Sequence, residues 1–141
     1  MRGKAGNRIV GLLLKLGAFL QRAGDRIAGE SGLTQQQFVV LMEIGERGPL
    51  SHTGICSGLL LEKSNVSKII KKLAKERLVV CRPLPADRRV MMLSIAPKGR
   101  AVVRRCMARF NAWNEEWLKR LTQTQMEQAG RTLALLENLK R

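Results

Sequence analysis

The stretch that decides the fold is Glu62 to Ile95, EKSNVSKIIKKLAKERLVVCRPLPADRRVMMLSI. Its first half repeats apolar residues at helical spacing. Val66, Ile69, Ile70 and Leu73 form one stripe, and Ser64, Asn65, Ser67, Lys68, Lys71, Lys72 and Lys75 fall mostly elsewhere on the circumference. After Arg77 the pattern changes to two β-prone runs, Leu78 to Arg82 and Val90 to Ile95, around a turn expected over Pro83 to Arg89, which reads as a hairpin. A lysine-studded amphipathic helix beside a basic hairpin is an arrangement suited to gripping a nucleic-acid duplex.

Charge is concentrated in this stretch. The chain has 141 residues and a formal net charge of +15. Residues 62–89 hold nine basic and three acidic side chains, whereas residues 29–61 hold one and three. Residues 1–28 carry six basic against one acidic, and residues 98–120 seven against two. A device for solubility alone would intersperse the signs, so the clustering favours a polyanionic partner.

Outward from the centre, helices flank it on both sides. Apolar residues from Ile9 to Ile27 recur at three- and four-residue steps, predicting a helix over residues 8–28. Thr34-Gln35-Gln36-Gln37 is a capping box that opens a second helix, with Phe38, Leu41, Met42 and Ile44 or Gly45 facing inward, and Arg47-Gly48-Pro49 closes it. Ser51 caps a short third helix to Leu59, with Ile55, Cys56 and Leu59 inward. Pro97 suits the first turn of a long helix to about Leu121. Thr122 and Gln125 open a terminal helix expected to bury Met126, Ala129, Leu133, Leu136 and Leu139.

The order helix, helix, short helix, basic helix, hairpin, two long helices predicts a mainly α fold with a small β-hairpin wing (α+β), a winged helix-turn-helix between terminal helices. All of residues 1–141 are read as one domain. Within it, residues 33–95 form the nucleic-acid-binding lobe, with a recognition helix at about 62–77 and a wing at about 79–95. Residues 8–28 and 97–140 are left as helices whose broad apolar faces, including Leu12, Leu16, Phe110, Trp113, Trp117, Leu133 and Leu136, call for a partner subunit or an intramolecular three-helix cover.

The sequence resembles the MarR family of bacterial winged-helix transcription regulators. The likeness is carried by Leu33-Thr34, Gln37-Phe38 and Leu41, by Ser64-Asn65-Val66-Ser67 with Ile69-Ile70 and Leu73, and by Leu78-Val79. It continues through Pro83, Pro85, Asp87-Arg88-Arg89, Leu93-Ser94-Ile95 and Lys98-Gly99-Arg100. Departures fall at Gly54, Leu60, Glu62 and Ala96, where the family more often has an acidic residue, a glycine, a good N-cap and a threonine cap. The resemblance implies a homodimer paired through its terminal helices, double-stranded DNA as partner, and an operator of pseudo-palindromic half-sites. It also implies repression under the control of a small-molecule effector, although Met42, His52 and their neighbours are no signature of its identity.

A helix in the major groove presents its N-terminal outward residues to base edges, which makes Ser64, Asn65, Ser67 and Lys68 the base-proximal candidates. Lys71, Lys72 and Lys75 are phosphate candidates. Asp87 and Arg89, two apart on the turn, are placed to pair. By resemblance Arg89 enters the minor groove with Asp87 orienting it, and Arg88 meets the backbone.

His52, the sole histidine, reads as an exposed helix-start residue, and neither a Gly-rich phosphate loop nor paired catalytic carboxylates are present. The chain is therefore read as no enzyme, with no catalytic residues, no metal and no cofactor. Cys56 and Cys106 sit at apolar helical positions, and Cys81, next to Arg82, is the candidate for redox chemistry. The family's peroxide sensors use a cysteine near the start of the first helix together with tyrosines; this chain has no cysteine there and no Tyr. Three widely spaced cysteines form no disulfide framework and fit a cytoplasmic protein. Lys15 interrupts the apolar run Ile9 to Leu20, which is too short for a span of about 20 residues, so no membrane is expected. A non-specific nucleoid-type or RNA-binding protein, and a ligand or redox sensor acting through protein partners, remain the alternatives.

Overall fold

The computed structural model describes residues 1–140. In order, the elements are α1 (Arg2–Gly29), α2 (Gln35–Arg47), β1 (Leu50–Ser51), α3 (His52–Leu59), α4 (Lys63–Lys75), β2 (Val79–Leu84), β3 (Asp87–Ile95), α5 (Pro97–Trp117) and α6 (Gln123–Leu139). The chain divides into two compact units, Met1–Cys106 and Met107–Arg141, with α5 continuing from the first into the second.

In the first unit, capping chemistry sets the helix starts. The Thr34 hydroxyl accepts from the Gln37 amide while the Gln37 side chain accepts from the Thr34 amide, the reciprocal box read from the sequence. The Ser51 hydroxyl accepts from the Gly54 amide at 3.0 Å and starts α3. Glu62 precedes α4 without a side-chain cap. α3 and α4 end differently from most helices, because Leu60 and Arg77 adopt left-handed backbone angles with φ of 53° and 59°. In each, the following amide reaches back five residues, Leu61 to Cys56 and Leu78 to Leu73, satisfying a carbonyl that the helix end leaves open.

The sheet is antiparallel with order β1-β3-β2. β2 and β3 pair Val79 with Ile95, Cys81 with Leu93 and Pro83 with Met91, and the register shifts at Pro83/Leu84. Strand pairing thus reaches further than the expected Pro83 to Arg89 turn and leaves only Pro85 and Ala86 between the strands. β1 was not foreseen: two residues are too few to show a period-2 pattern, yet Leu50 and Ser51 pair with Leu93 and Met92.

The buried core of this unit joins Phe38, Leu41 and Ile44 of α2 to Ile55 of α3, to Val66, Ile69 and Leu73 of α4, and to Leu78, Val79 and Leu93 of the hairpin. Each such side chain contributes about 1.5–3 kcal/mol on leaving water, so the apolar stripe anchors α4 firmly. Leu59 and Cys56 are only half-buried, so α3 is seated chiefly by Ile55. α1 joins α2 through Ala23, Ile27 and Ala28, and through the Gln35 amide donating to Asp25 Oδ1 at 2.8 Å. At the start of α5, Gly99 packs so closely that a Cβ there would collide with the Leu78 carbonyl oxygen. Ala96, in place of a threonine cap, is buried and donates its amide to that same carbonyl at 2.9 Å.

Two helices leave apolar faces uncovered. α1 begins at Arg2 rather than at residue 8 and measures about 42 Å, and none of its residues before Ala23 is buried. Ile9, Leu12, Leu13, Leu16, Phe19 and Leu20 are all exposed. In the second unit, the stacked rings of Trp113 and Trp117 lie 4.9 Å apart, and α5 ends at Trp117 rather than Leu121. The Thr122–Gln125 box starts α6 as expected, but α6 buries nothing. Met126, Ala129, Leu133 and Leu139 are exposed and Leu136 half-exposed, so the burial expected of them is not supplied within the single chain.

Candidate nucleic-acid interface

α4 owes its orientation to its apolar stripe: with Val66, Ile69 and Leu73 buried, the opposite arc must face outward. Ser64, Ser67, Lys68, Lys71 and Lys75 are exposed there, together with Lys63. Lys72 is half-exposed and lies 3.5 Å from Glu76, one turn on, so its charge is already partly answered within the helix.

Two of the proposed base readers are held by side chains far away in sequence. Asn65 is half-buried, and its Nδ2 donates to Gln36 Oε1 on α2 at 2.8 Å. A base contact through the Asn65 amide must therefore exchange or share that bond. Ser67 Oγ lies 2.9 Å from His52 Nε2 at the start of α3. His52 is accordingly half-buried, not the exposed helix-start residue expected, and its Nδ1 is 3.7 Å from the sulfur of Cys56. The His52 and Cys56 positions, four apart, were legible as one helix face; the Gln36 contact, 29 residues from Asn65, had no local signal.

At the wing, Asp87 and Arg89 form the pair their spacing allows. Arg89 Nε donates to Asp87 Oδ1 at 3.1 Å and Nη2 to Oδ2 at 3.3 Å, while the Arg89 backbone amide donates to Oδ1 at 3.1 Å. The guanidinium, and after it the amide, hold the Asp87 carboxyl below its ordinary value of 3.8, against a weaker opposing effect of desolvation. The pair is thus fully charged near neutral pH. The Arg89 side chain is 92% exposed, so the clamp fixes its direction without covering it. Arg88 is exposed beside it.

A groove of about 410 Å³ opens between α3, α4 and the hairpin, lined by His52, Lys63, Ile70, Cys81, Arg89 and Met91 among others. Cys81 is exposed and shares its lining with Lys63 and Arg89. Cys106 is buried and its thiol donates to Ser31 Oγ at 3.6 Å. Among the described residues no group of three or more His, Cys, Asp and Glu stands where a metal ion could be held, and no helix is long and apolar enough to cross a membrane.

Of the other expected sites, Leu12, Leu16, Trp117 and Leu133 are exposed, while Phe110, Trp113 and Leu136 are half-exposed. Trp113 and Trp117 stack on one another.

This geometry has known counterparts. A sequence model of the MarR family matches residues 31–90, from just after α1 into the wing. The chain is 22% identical over 126 residues to the uncharacterized HTH-type transcriptional regulator YsmB of Bacillus subtilis, covering 89% of this chain and 86% of that one. It is 28% identical over 71 residues to the HTH-type transcriptional repressor NicR of Pseudomonas putida, covering 50% of this chain and 45% of NicR. Among solved structures, CouR from Rhodococcus jostii RHA1, bound to p-coumaroyl-CoA, superposes with a TM-score of 0.79 at 21% identity over 94% of each chain. The winged lobe thus matches the MarR family in sequence over residues 31–90, and the fold is similar to that of CouR along nearly all of the chain's length.

Proposed function

We propose that the chain is a sequence-specific, double-stranded DNA-binding transcription regulator that acts as a homodimer on a pseudo-palindromic operator. The observation that carries this reading is the outward arc of α4 together with the clamped Arg89, which lines one groove with Lys63 of α4: exposed hydroxyls and lysines on a well-anchored helix, and one preset guanidinium. Major-groove entry by α4 would set Ser64, Ser67 and Lys68 against base edges, with Asn65 joining when its bond to Gln36 exchanges. Lys71, Lys75 and Arg88, and to a smaller degree Lys72, would meet phosphates. Arg89 would enter the minor groove, where negative potential is strongest over A·T-rich steps.

The uncovered apolar faces support the dimer. An α1 with no buried residue before Ala23 and an α6 with none at all fit a partner subunit better than an intramolecular cover. Leu12, Leu16, Phe110, Trp113, Trp117, Leu133 and Leu136 are the residues we assign to it. Both recognition helices must then match the operator spacing together, so a small molecule that alters the separation of the lobes would control binding. Repression relieved by such an effector is the form of control we assign, supported by the repressor NicR and by the acyl-CoA ligand of CouR.

Gel-shift titration against random genomic fragments tests the reading. A specific regulator enriches fragments sharing one inverted repeat over bulk DNA by roughly 10³-fold or more. Equal retention of all fragments would instead assign the chain to non-specific nucleic-acid binding, for which its +15 charge would suffice.

A further inference from the structure

His52 links α3 to α4 through a side-chain hydrogen bond. It opens α3, yet its Nε2 is 2.9 Å from Ser67 Oγ on α4, and its Nδ1 is 3.7 Å from Cys56 Sγ one turn along its own helix. Cys56, His52 and Ser67 thus form a chain of hydrogen-bonding groups that starts half-buried and ends at an exposed hydroxyl on the outward arc of α4.

A neutral imidazole has one N–H, and the nitrogen that lacks it accepts. A thiol sulfur is a weak acceptor, so the Cys56 contact is best made with the S–H donating to Nδ1. The ring proton then sits on Nε2 and is donated to Ser67 Oγ. With one lone pair so engaged, the Ser67 O–H is free to donate away from the protein. In the other tautomer the Ser67 proton would be directed at Nε2, and only acceptor capacity would face outward.

We propose that His52, set in its Nε2–H form by the Cys56 thiol, is a specificity-determining positioning residue that makes Ser67 present a hydrogen-bond donor to the DNA. The inference rests on the reading above that Ser67 faces base edges. Major-groove acceptors are guanine N7 and O6, adenine N7 and thymine O4, whereas the cytosine and adenine amino groups are donors. The base pair beneath Ser67 is therefore chosen for an acceptor edge and against the cytosine amino group.

The protein has a single histidine, so the ring-nitrogen spectrum of ¹⁵N-labelled full-length protein contains only this imidazole. At pH 8 the Nε2–H tautomer should dominate, and Cys56→Ala should shift it toward a mixture. A dominant Nδ1–H tautomer, or no response to Cys56→Ala, would overturn the proposal without any variant at His52 having to fold. Selection from a randomised operator pool supplies the functional test. Ser67→Ala should weaken one base preference per half-site roughly threefold to tenfold, the value of one net hydrogen bond. His52→Leu should flatten the same base pair, the double variant should lose no more, and His52→Gln, which keeps an amide donor, should restore the preference. Weaker binding spread evenly over all positions in His52→Leu would mean that His52 only packs the helices. An unchanged profile in Ser67→Ala would overturn the assignment of Ser67 as a reader itself, a result distinguishable from failure of the relay.

Discussion

Replacing Lys71 by alanine should change the salt dependence of DNA binding by an amount that also counts subunits. Lys71 is exposed on the outward arc of α4, with its apolar neighbours buried on the other side, so removing it disturbs no core contact. Each phosphate neutralised by a lysine contributes about 0.9 to the slope of log K against log salt. A homodimer carries Lys71 twice, so the slope should fall by about 1.8 per complex, against about 0.9 if a single chain binds. Between 50 and 200 mM salt, wild type should then lose about 12-fold more affinity than the variant, compared with about 3.5-fold for a monomeric complex. Lys72 provides the internal contrast: because it faces Glu76 at 3.5 Å, Lys72→Ala should lower the slope less, and Glu76→Gln should steepen it. Fluorescence anisotropy over this salt range, on an operator and on a scrambled duplex, measures these slopes. An unchanged slope in Lys71→Ala, or a loss seen on the operator and not on scrambled DNA, would refute the assignment of Lys71 to phosphate.

Arg89→Ala should abolish the preference for A·T-rich over G·C-rich flanks, and Asp87→Asn, which leaves the guanidinium without its clamp, should lose part of it in the same competition assay. Because the Asp87 carboxyl is held below 3.8, its ionised form is favoured in the folded chain; the clamp is present above that value and lost only as pH falls through the lowered one, so the flank preference should be the same at pH 5.5 and pH 8. Leu60→Gly should stabilise the protein by about 0.5–1 kcal/mol, the left-handed strain of about 1–2 kcal/mol less the greater freedom of glycine in the unfolded chain, readable as a rise of roughly 2–4 °C in Tm. Leu133→Glu, at a side chain 51% exposed in the single chain, should weaken self-association by roughly 100-fold in sedimentation velocity, two partly buried leucines being lost per dimer, with the helical content unchanged.

The order of elements was legible because each boundary carries local chemistry: the Thr34 and Thr122 boxes, the Ser51 cap, the Pro97 start and the turn around Pro85. Asp87 and Arg89 were legible as a pair because two residues on one turn meet without help from the rest of the fold. What escaped depends on contacts between distant segments. β1 exists only through its pairing with β3, and Asn65 is turned toward α2 by Gln36. His52 was misjudged for the same reason, since its burial is created by α4 rather than by its own helix. The apolar faces of α1 and α6 were legible as amphipathic, but periodicity says only that a face is apolar. Whether it is covered from within the chain or by another is a property of the tertiary structure; among the described residues α6 buries none and α1 none before Ala23.

A duplex bearing the selected inverted repeat, compared with the same duplex lengthened by five base pairs at its centre, tests most directly whether two copies read DNA together. Half-sites about one helical turn apart lie on one face, and the insertion rotates one of them to the opposite face. Two chains per duplex, with affinity falling by roughly 100-fold or more on insertion, is the expected result. Equal affinity for both duplexes, or one chain bound per duplex, would contradict a two-fold reader built from α4 and the wing.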